Sequence, residues 1–252
     1  MTDIRTRAHT PVTELKGRRA LITGGTTGIG RAIAVLLASE GARVFVCGRD
    51  PQHLADALEA IRAVGEGDGI NIDLAEPDAT KRLFDAAEQA LGGLDIAVLN
   101  AAVAAEGLTD TSEDELRYAI AADFTAYMLG AHEAAERIEE GDIVFTGSVS
   151  AHILGPGSTV YAGIKAGVAG FSEALRKELG EKGIRVALVE PGKTKADIGK
   201  PDVTDAEQKE KVAAEETLRA EDIAVGVHYI LTQPRRAVVQ QLTIVPRAEG
   251  GE

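Results

Sequence analysis

The sequence is poor in cysteine, tryptophan and basic residues. Among its 252 residues there is one cysteine and no tryptophan. The single cysteine, Cys47, excludes a disulfide within the chain, and its place in the apolar run at 44–47 indicates a buried structural thiol in a reduced, cytoplasmic environment. The 27 basic residues are outnumbered by 40 acidic ones, which gives a net charge of -13. This balance argues against nucleic acid or an anionic membrane as a partner, since either requires a basic surface.

Long apolar runs are also missing. No stretch approaches the roughly 18 residues of a membrane-spanning helix, and the polar segment 1–16 lacks the apolar core of a secretory signal. With 44% hydrophobic and 27% charged residues, a chain of this length can bury one full core. We therefore expect a protein without a membrane partner, in which a flexible arm over 1–16 precedes one domain over 17–252.

Apolar strand-like runs alternate with helix-like segments along the chain, as a parallel sheet covered by helices on both faces requires. The predicted strands lie at 20–23, 43–47, 69–73, 96–100, 142–146, 185–189 and 241–245. The pattern predicts an α/β fold, a single-domain, Rossmann-type doubly wound parallel sheet of about seven strands.

A glycine-rich run follows the first predicted strand, with the sequence TGGTTGIG at residues 23–30. After a tight turn, the helix that opens at Gly30 would present unpaired amides to a pyrophosphate. The competing phosphate-binding motif, the P-loop, requires a lysine after the last glycine and then serine or threonine. Arg31 and Ala32 stand at those positions, so the run favours a dinucleotide.

Tyr161 and Lys165 are four residues apart and therefore lie on one face of a helix. The ammonium can stabilise the ionised phenol and lower its pKa from the usual value of about 10. Ser148 ends a predicted strand, and ligands of open α/β sheets bind at the carboxyl ends of strands. Alone, such a Tyr/Lys pair is more often a surface pair. Together with the serine and the glycine turn, it predicts an acid/base site for hydride transfer.

These motifs resemble those of the classical short-chain dehydrogenases/reductases, and the resemblance extends from about residue 17 to about residue 247. The residues that match the family's Thr-Gly-x-x-x-Gly-x-Gly and Tyr-x-x-x-Lys motifs are Thr23, Gly24, Gly28, Gly30, Tyr161 and Lys165. The resemblance implies an oxidoreductase that interconverts a carbonyl and a secondary alcohol on a small molecule, with Ser148 completing the catalytic set. A catalytically silent dinucleotide-binding sensor and a lyase of the same fold are the alternatives. No metal site is expected.

The resemblance also implies a set of dinucleotide contacts. They are Gly24, Thr26, Thr27, Gly28, Ile29, Gly30, Asp73, Leu74, Asn100, Tyr161, Lys165, Pro191, Gly192 and Thr194. The family's Asn-Asn-Ala-Gly segment is matched only in part, since Leu99 and Ala102 replace its first asparagine and its glycine. Ala196 occupies the usual position of a threonine, and Thr194 is the nearest substitute.

The residues after the second predicted strand indicate which dinucleotide is bound. An acidic residue there would accept the ribose hydroxyls and repel a 2′-phosphate. The chain instead has Gly48 and Arg49, and a guanidinium can pair with phosphate while stacking on adenine. We therefore expect NADP(H) rather than NAD(H). In the alternative interpretation, Arg49 faces solvent and is balanced by Asp50.

One catalytic position departs from the family pattern. The family usually carries an asparagine in the long helix, here at about 113–138, where it helps to hold a water near the lysine. Alignment on the surrounding pattern puts Asp123 at that position, and a carboxylate can accept a hydrogen bond but cannot donate one as an amide does. The hypothesis is that Asp123 sustains the relay and favours the charged lysine. Alternatively, Asp123 faces solvent or a neighbouring subunit.

The substrate region is less sharply defined. The expected substrate contacts are Ser148, Ser150, His152 and Tyr161, although a lone loop histidine is often incidental. The charged segment 193–219, which contains Pro201, is predicted to be a mobile lid. The family is commonly tetrameric, and the alanines and glycines at 118–135 and 160–175 permit close helix packing between subunits, so we expect a homotetramer.

Overall fold

The structure of the protein is a computed structural model that describes residues 12–194 and 212–248. Seven parallel strands form one sheet in the order β3-β2-β1-β4-β5-β6-β7. They are β1 (Arg19–Ile22), β2 (Arg43–Gly48), β3 (Glu66–Asn71), β4 (Ile96–Leu99), β5 (Gly141–Thr146), β6 (Ile184–Pro191) and β7 (Gln241–Ile244). The predicted Rossmann-type fold is confirmed.

Strand β3 begins earlier and ends earlier than predicted. It lies at the edge of the sheet, and its sequence EGDGIN is polar and rich in glycine, so a search for apolar runs misses its first residues. Its register with β2 decides its extent, because Glu66 lies opposite Arg43. The carboxylate of Glu66 is 3.3 Å from Nε of Arg43.

Helices cover both faces of the sheet. They are α1 (Gly28–Ser39), α2 (Pro51–Arg62), α3 (Ala79–Leu91), α4 (Glu113–Ile120), α5 (Ala126–Arg137), α6 (Thr159–Leu179) and α7 (Ala220–Thr232). One buried cluster packs α3, α5 and α6 on the sheet around Phe84 and Phe145. The other packs α1 and α7 on the opposite face around Ile33 and Ile223. Within the described residues, no helix is long and apolar enough to cross a membrane.

The order of the strands creates a crevice beside β1. Strand β1 pairs with β2 on one side and with β4 on the other, so the connections that leave β1 and β4 diverge. In open α/β sheets, ligands bind at this point, outside the carboxyl ends of the strands. The segments after β1, β4, β5 and β6 carry most of the residues singled out by the sequence.

The start of the described chain is packed rather than loose. The amide of Thr13 donates to the carbonyl of Thr232 at 2.8 Å, and the side chain of Leu15 is buried. Because these contacts join the segment 12–16 to the end of α7, this part of the predicted arm belongs to the domain. Residues 1–11 lie outside the described residues.

Candidate active site

A cavity of about 980 Å³ opens at the carboxyl edge of the sheet. Every predicted dinucleotide contact lines it, and so does Ser148. The predicted contacts on its wall are Gly24, Thr26, Thr27, Gly28, Ile29, Gly30, Arg49, Asp73, Leu74, Asn100, Tyr161, Lys165, Pro191, Gly192 and Thr194. Residues that are 141 positions apart in the chain, such as Gly24 and Lys165 (165 − 24), therefore meet at one site.

Gly24 and Gly30, in the turn after β1, have no room for a side chain. Gly24 has a φ of 63°, and a Cβ added to it would lie 2.7 Å from the Cα of Ala101. A Cβ added to Gly30 would lie 2.2 Å from the carbonyl oxygen of Gly24. Thr27 precedes α1 without making a capping side-chain bond, so a pyrophosphate would meet amides that no capping group occupies. The turn therefore fits a dinucleotide.

Asn100 ties the turn to the neighbouring strands. Its Nδ2 donates to the carbonyl of Thr23 at 3.1 Å, and its Oδ1 accepts from the hydroxyl of Thr146 at 3.2 Å. Its backbone amide donates to the hydroxyl of Thr23 at 2.8 Å. One amide side chain thus fixes the carboxyl ends of β1, β4 and β5 relative to one another.

Arg49 is exposed at the end of the cavity beside β2 and β3. A guanidinium N–H of Arg49 donates to the hydroxyl of Tyr118. Asp50 does not balance it, because Oδ1 of Asp50 instead accepts from the amides of Gln52 and His53 at the start of α2. The alternative interpretation is therefore correct in that Arg49 is exposed, but among the described residues Arg49 forms no ion pair with Asp50 or any other carboxylate.

Tyr161 lies near the start of α6 and lines the cavity together with Ser148. Burial raises the pKa of Tyr161, hydrogen bonding with Ser148 lowers it, and the charge of Asp123 raises it further, so that the net shift is upward. Burial outweighs the lowering by Ser148, so the phenol is protonated at neutral pH. The lowering of its pKa by Lys165 stays a prediction.

Lys165 is buried and directed toward the backbone. Its Nζ donates to the carbonyl of Thr146 at 2.9 Å and to the hydroxyl of Tyr127 at 3.4 Å. Nζ lies 5.0 Å from the ring centroid of Tyr127 and 5.6 Å from that of Tyr161. Burial lowers the pKa of Lys165 to about 8, against the opposing charge of Asp123, so the ammonium persists at neutral pH. These bonds explain why the lysine does not reach the phenolic oxygen.

Asp123 is fully buried and faces neither solvent nor the cavity wall. It sits in a π-helical turn between α4 and α5, and such turns are frequent at functional sites. Its Oδ1 accepts from the amide of Val103 at 2.8 Å, whereas Oδ2 has no partner among the described residues. Burial raises the pKa of Asp123 to about 6, opposed by the Val103 bond and the charges of Lys165 and Arg49. The solvent-facing alternative is wrong.

Two predicted substrate contacts lie away from the cavity wall. The backbone amide of Ser150 donates a hydrogen bond to Oγ of Ser148 at 3.1 Å. Ser150 does not line the cavity. Nε2 of His152 lies 2.9 Å from Oε1 of Glu190, a buried residue of β6. Both residues therefore support the loop that carries Ser148. A histidine in a loop offers no sequence signal that its partner is a buried carboxylate.

The predicted lid is described only at its two ends. Residues 195–211 lie outside the described residues. The amide of Leu218 donates to the carbonyl of Lys193 at 2.9 Å, and Thr194 pairs with Leu218. The hydroxyl of Thr194 donates to the carbonyl of Gly192 at 2.9 Å. The two ends of the segment thus meet beside the cavity.

Sequence reasoning missed two tyrosines of the site. Tyr118 lines the cavity. Tyr127 does not line it, but its hydroxyl accepts a hydrogen bond from Nζ of Lys165. Both fall within the helical stretch where only Asp123 stood out. Cys47 is buried as predicted, and burial raises the pKa of its thiol to about 12. The thiol therefore stays protonated and offers no nucleophile.

Comparison with known proteins identifies relatives over nearly the whole chain. A family model described as short chain dehydrogenase matches residues 18–208. A Staphylococcus aureus protein named "uncharacterized oxidoreductase" is 30% identical over 243 residues, which cover 93% of this chain and 100% of that protein. The NADPH-dependent aldehyde reductase 1, chloroplastic, of Arabidopsis thaliana is 33% identical over 73% of this chain and 68% of its own length.

Solved structures agree with these relatives. A short chain dehydrogenase from Burkholderia cenocepacia, in complex with NADP, is 32% identical and superposes with a TM-score of 0.83. The match covers 92% of this chain and 98% of that chain. A dehydrogenase/reductase from Sinorhizobium meliloti is 31% identical, with a TM-score of 0.82 and coverages of 92% and 95%. The chain belongs to the short-chain dehydrogenase family, a family of oxidoreductases.

Proposed function

We propose that this protein is an NADP(H)-dependent oxidoreductase that interconverts a carbonyl and a secondary alcohol on a small molecule. The observation that carries the proposal is the meeting of Ser148, Tyr161 and Lys165 with the glycine turn on the wall of one cavity. A sensor without turnover would not require this acid/base set. When bound, the dinucleotide supplies or accepts the hydride at the carbon of the substrate.

The residues of the site divide the remaining work. In the direction of reduction, the hydroxyl of Ser148 donates a hydrogen bond to the substrate oxygen as negative charge develops there. Tyr161 transfers its phenolic proton to the same oxygen, which yields the alcohol and leaves the phenolate. The buried ammonium of Lys165 stabilises that phenolate through the low-dielectric surroundings. Burial raises the pKa of Tyr161, so the phenol carries its proton at neutral pH, and the nearby ammonium of Lys165 lowers the cost of releasing that proton.

Asp123 acts in this proposal as the countercharge of Lys165. Its negative charge raises the pKa of Lys165 and so opposes the effect of burial. Its unpartnered Oδ2 is a buried acceptor that a water would satisfy, as expected of a relay that returns a proton to Tyr161. Asp123 does not line the cavity. It therefore affects the reaction through the influence of its charge on Lys165.

The class of reaction is tested by supplying NADPH with a panel of small ketones and aldehydes. Consumption of NADPH that depends on one of these carbonyl compounds, with the matching alcohol as product, supports the proposal. Tight binding of NADPH without turnover across the panel would favour the sensor. Release of a product without oxidation or reduction of the nucleotide would favour the lyase.

The preference for NADP(H) is attributed to Arg49, which carries the positive charge at the end of β2, and to Gly48, which offers no carboxylate. A Cβ at Gly48 would lie 2.3 Å from Oγ1 of Thr26, so this position has no room for an acidic side chain. We expect Arg49→Gln to weaken NADPH binding by at least about tenfold more than NADH binding, because only NADPH loses a charged hydrogen bond to its 2′-phosphate. Equal losses for both nucleotides would contradict the attribution.

We also propose a homotetramer in the cytoplasm. Helix α5 exposes Met128 and Leu129, and α7 exposes Val225. On α6, a Cβ added to Gly163 or Gly170 would meet no atom within 4 Å, which leaves a smooth face for a second copy. Light scattering at micromolar concentration tests the assembly, and a monomer would contradict it. Cell fractionation tests the location, which the single buried cysteine favours.

A further inference from the structure

Three side chains form a bridge across the end of the cavity beside β2 and β3. A guanidinium N–H of Arg49 donates to the hydroxyl of Tyr118, and that hydroxyl donates to Oδ2 of Asp73 at 2.7 Å. The residues come from three elements: Arg49 follows β2, Asp73 follows β3, and Tyr118 belongs to α4. All three line the cavity. The bridge therefore joins opposite walls of the site.

Tyr118 is the fixed member of this bridge. Its hydroxyl is held by Asp73, whose Oδ1 in turn accepts from the amide of Ala75 at 2.9 Å. Burial raises the pKa of Tyr118, and the bond to Asp73 raises it further, so the hydroxyl remains a donor. The position of the ring is thus set by contacts that do not involve Arg49.

Arg49 is the movable member. Its side chain is exposed, and its only polar contact among the described residues is the hydroxyl of Tyr118. Its Cζ lies 5.7 Å from the ring centroid of Tyr118. A flat base between two stacking planes requires about 7 Å, at roughly 3.5 Å for each contact. A small rotation of a long, exposed side chain supplies the missing distance.

We propose that Arg49 and Tyr118 are the two sides of a clamp that stacks on the adenine of the dinucleotide, with Tyr118 as a further binding residue. Guanidinium and phenol planes both stack on bases. Tyr118 is the one phenol ring at this end of the described cavity wall, since Tyr161 lies beyond the glycine turn at the hydride end. The clamp rests on the proposed NADP(H) site, in which the edge of Arg49 binds the 2′-phosphate.

The test measures binding of two adenine nucleotides by calorimetry, adenosine 2′,5′-bisphosphate and adenosine 5′-monophosphate. Both contain adenine, and only the first carries the 2′-phosphate. We expect Tyr118→Ala and Tyr118→Leu to weaken both probes by the same factor, about 5- to 100-fold, because the ring that stacks on the base is lost. Tyr118→Phe keeps the ring and should stay within about threefold. Arg117→Ala, on the same helix but outside the cavity wall, should change neither affinity.

Each other outcome contradicts part of this account. A loss confined to the bisphosphate would overturn the clamp and make Tyr118 a support for Arg49 at the phosphate. Unchanged or tighter binding in both Tyr118→Ala and Tyr118→Leu would also overturn it. If the wild type binds both probes equally, the NADP(H) preference fails, and the clamp is judged on the monophosphate alone. If the wild type binds neither probe, both proposals fail.

Discussion

Asp142 and Asp123 are both buried carboxylates, but they lie at opposite edges of the sheet and have very different partners. At the amino edge, Asp142 lies 2.6 Å from Arg185, 3.2 Å from Arg18 and 3.3 Å from Arg235. At the carboxyl edge, Asp123 has one amide partner for one oxygen and none among the described residues for the other.

The difference separates a structural charge from a functional one. A buried carboxylate that is surrounded by guanidinium groups holds strands and loops together, and its removal leaves those charges uncompensated. A buried carboxylate with an unused acceptor carries a raised pKa, which is typical of sites that move protons. We therefore expect substitutions at the amino edge to lower stability, and those at the carboxyl edge to change chemistry without lowering stability.

The largest expected effect is on turnover at the carboxyl edge. Tyr161→Phe removes the proton donor and should lower kcat by about 10² to 10⁴, the usual contribution of general acid catalysis, while NADPH still binds. Steady-state rates and a nucleotide titration measure both quantities. Tyr229→Phe is the matched control, because Tyr229 is an exposed residue of α7 that does not line the cavity. A Tyr161→Phe rate within tenfold of wild type would remove the phenol from the mechanism.

The next effect is on stability at the amino edge. Asp142→Ala leaves Arg18, Arg185 and Arg235 without their shared countercharge and should lower the free energy of unfolding by about 3–5 kcal/mol. Denaturant titration measures this loss, and activity per folded molecule should be retained. A loss below about 1 kcal/mol would mean that the network is not a structural centre.

Asp123→Asn should have the opposite effect on stability. The pKa of about 6 in the fold lies above the usual 3.8, so ionisation of Asp123 costs stability increasingly as pH rises from 3.8 to 6, and fully above 6. The neutral amide removes that cost and should stabilise the protein by about 1–3 kcal/mol at pH 7.5. Unfolding at pH 7.5 and pH 5 should show a smaller gain at pH 5. A loss of stability at pH 7.5 would contradict the comparison.

The smallest effect is on the pH profile of carbonyl reduction. Activity should fall below about pH 6 as Asp123 takes up a proton, and above about pH 8 as Lys165 loses one. In Asp123→Asn, the acid limb disappears and the alkaline limb moves to lower pH, because Lys165 loses its countercharge. A profile identical to that of the wild type would exclude the relay.

Much of this comparison is readable from the sequence. The glycine turn, the Tyr/Lys spacing and the serine at a strand end each depend on local chemistry. Because parallel strands end at one edge, local motifs suffice to bring Gly24, Ser148 and Lys165 to one cavity. The same logic identified Arg49 through its place after β2.

Other features depend on contacts that no local pattern encodes. The bonds of Lys165 to Thr146 and Tyr127 decide the direction of its ammonium, and burial decides the shift in the pKa of Tyr161. The imidazole of His152 contacts the carboxylate of Glu190, a residue of β6 that lies 38 positions further along the chain. Tyr118 has the spacing of an ordinary helix residue until Arg49 and Asp73 are placed around it.

Hydride transfer at the carboxyl ends of the strands can be followed with labelled NADPH. The protein would be incubated with NADPH that carries deuterium at C4 of the nicotinamide and with the most active carbonyl compound of the panel. We expect deuterium on the carbinol carbon of the product with the wild type and almost no labelled product with Tyr161→Phe. Product without deuterium from either nicotinamide face, or no product across the panel, would contradict this expectation.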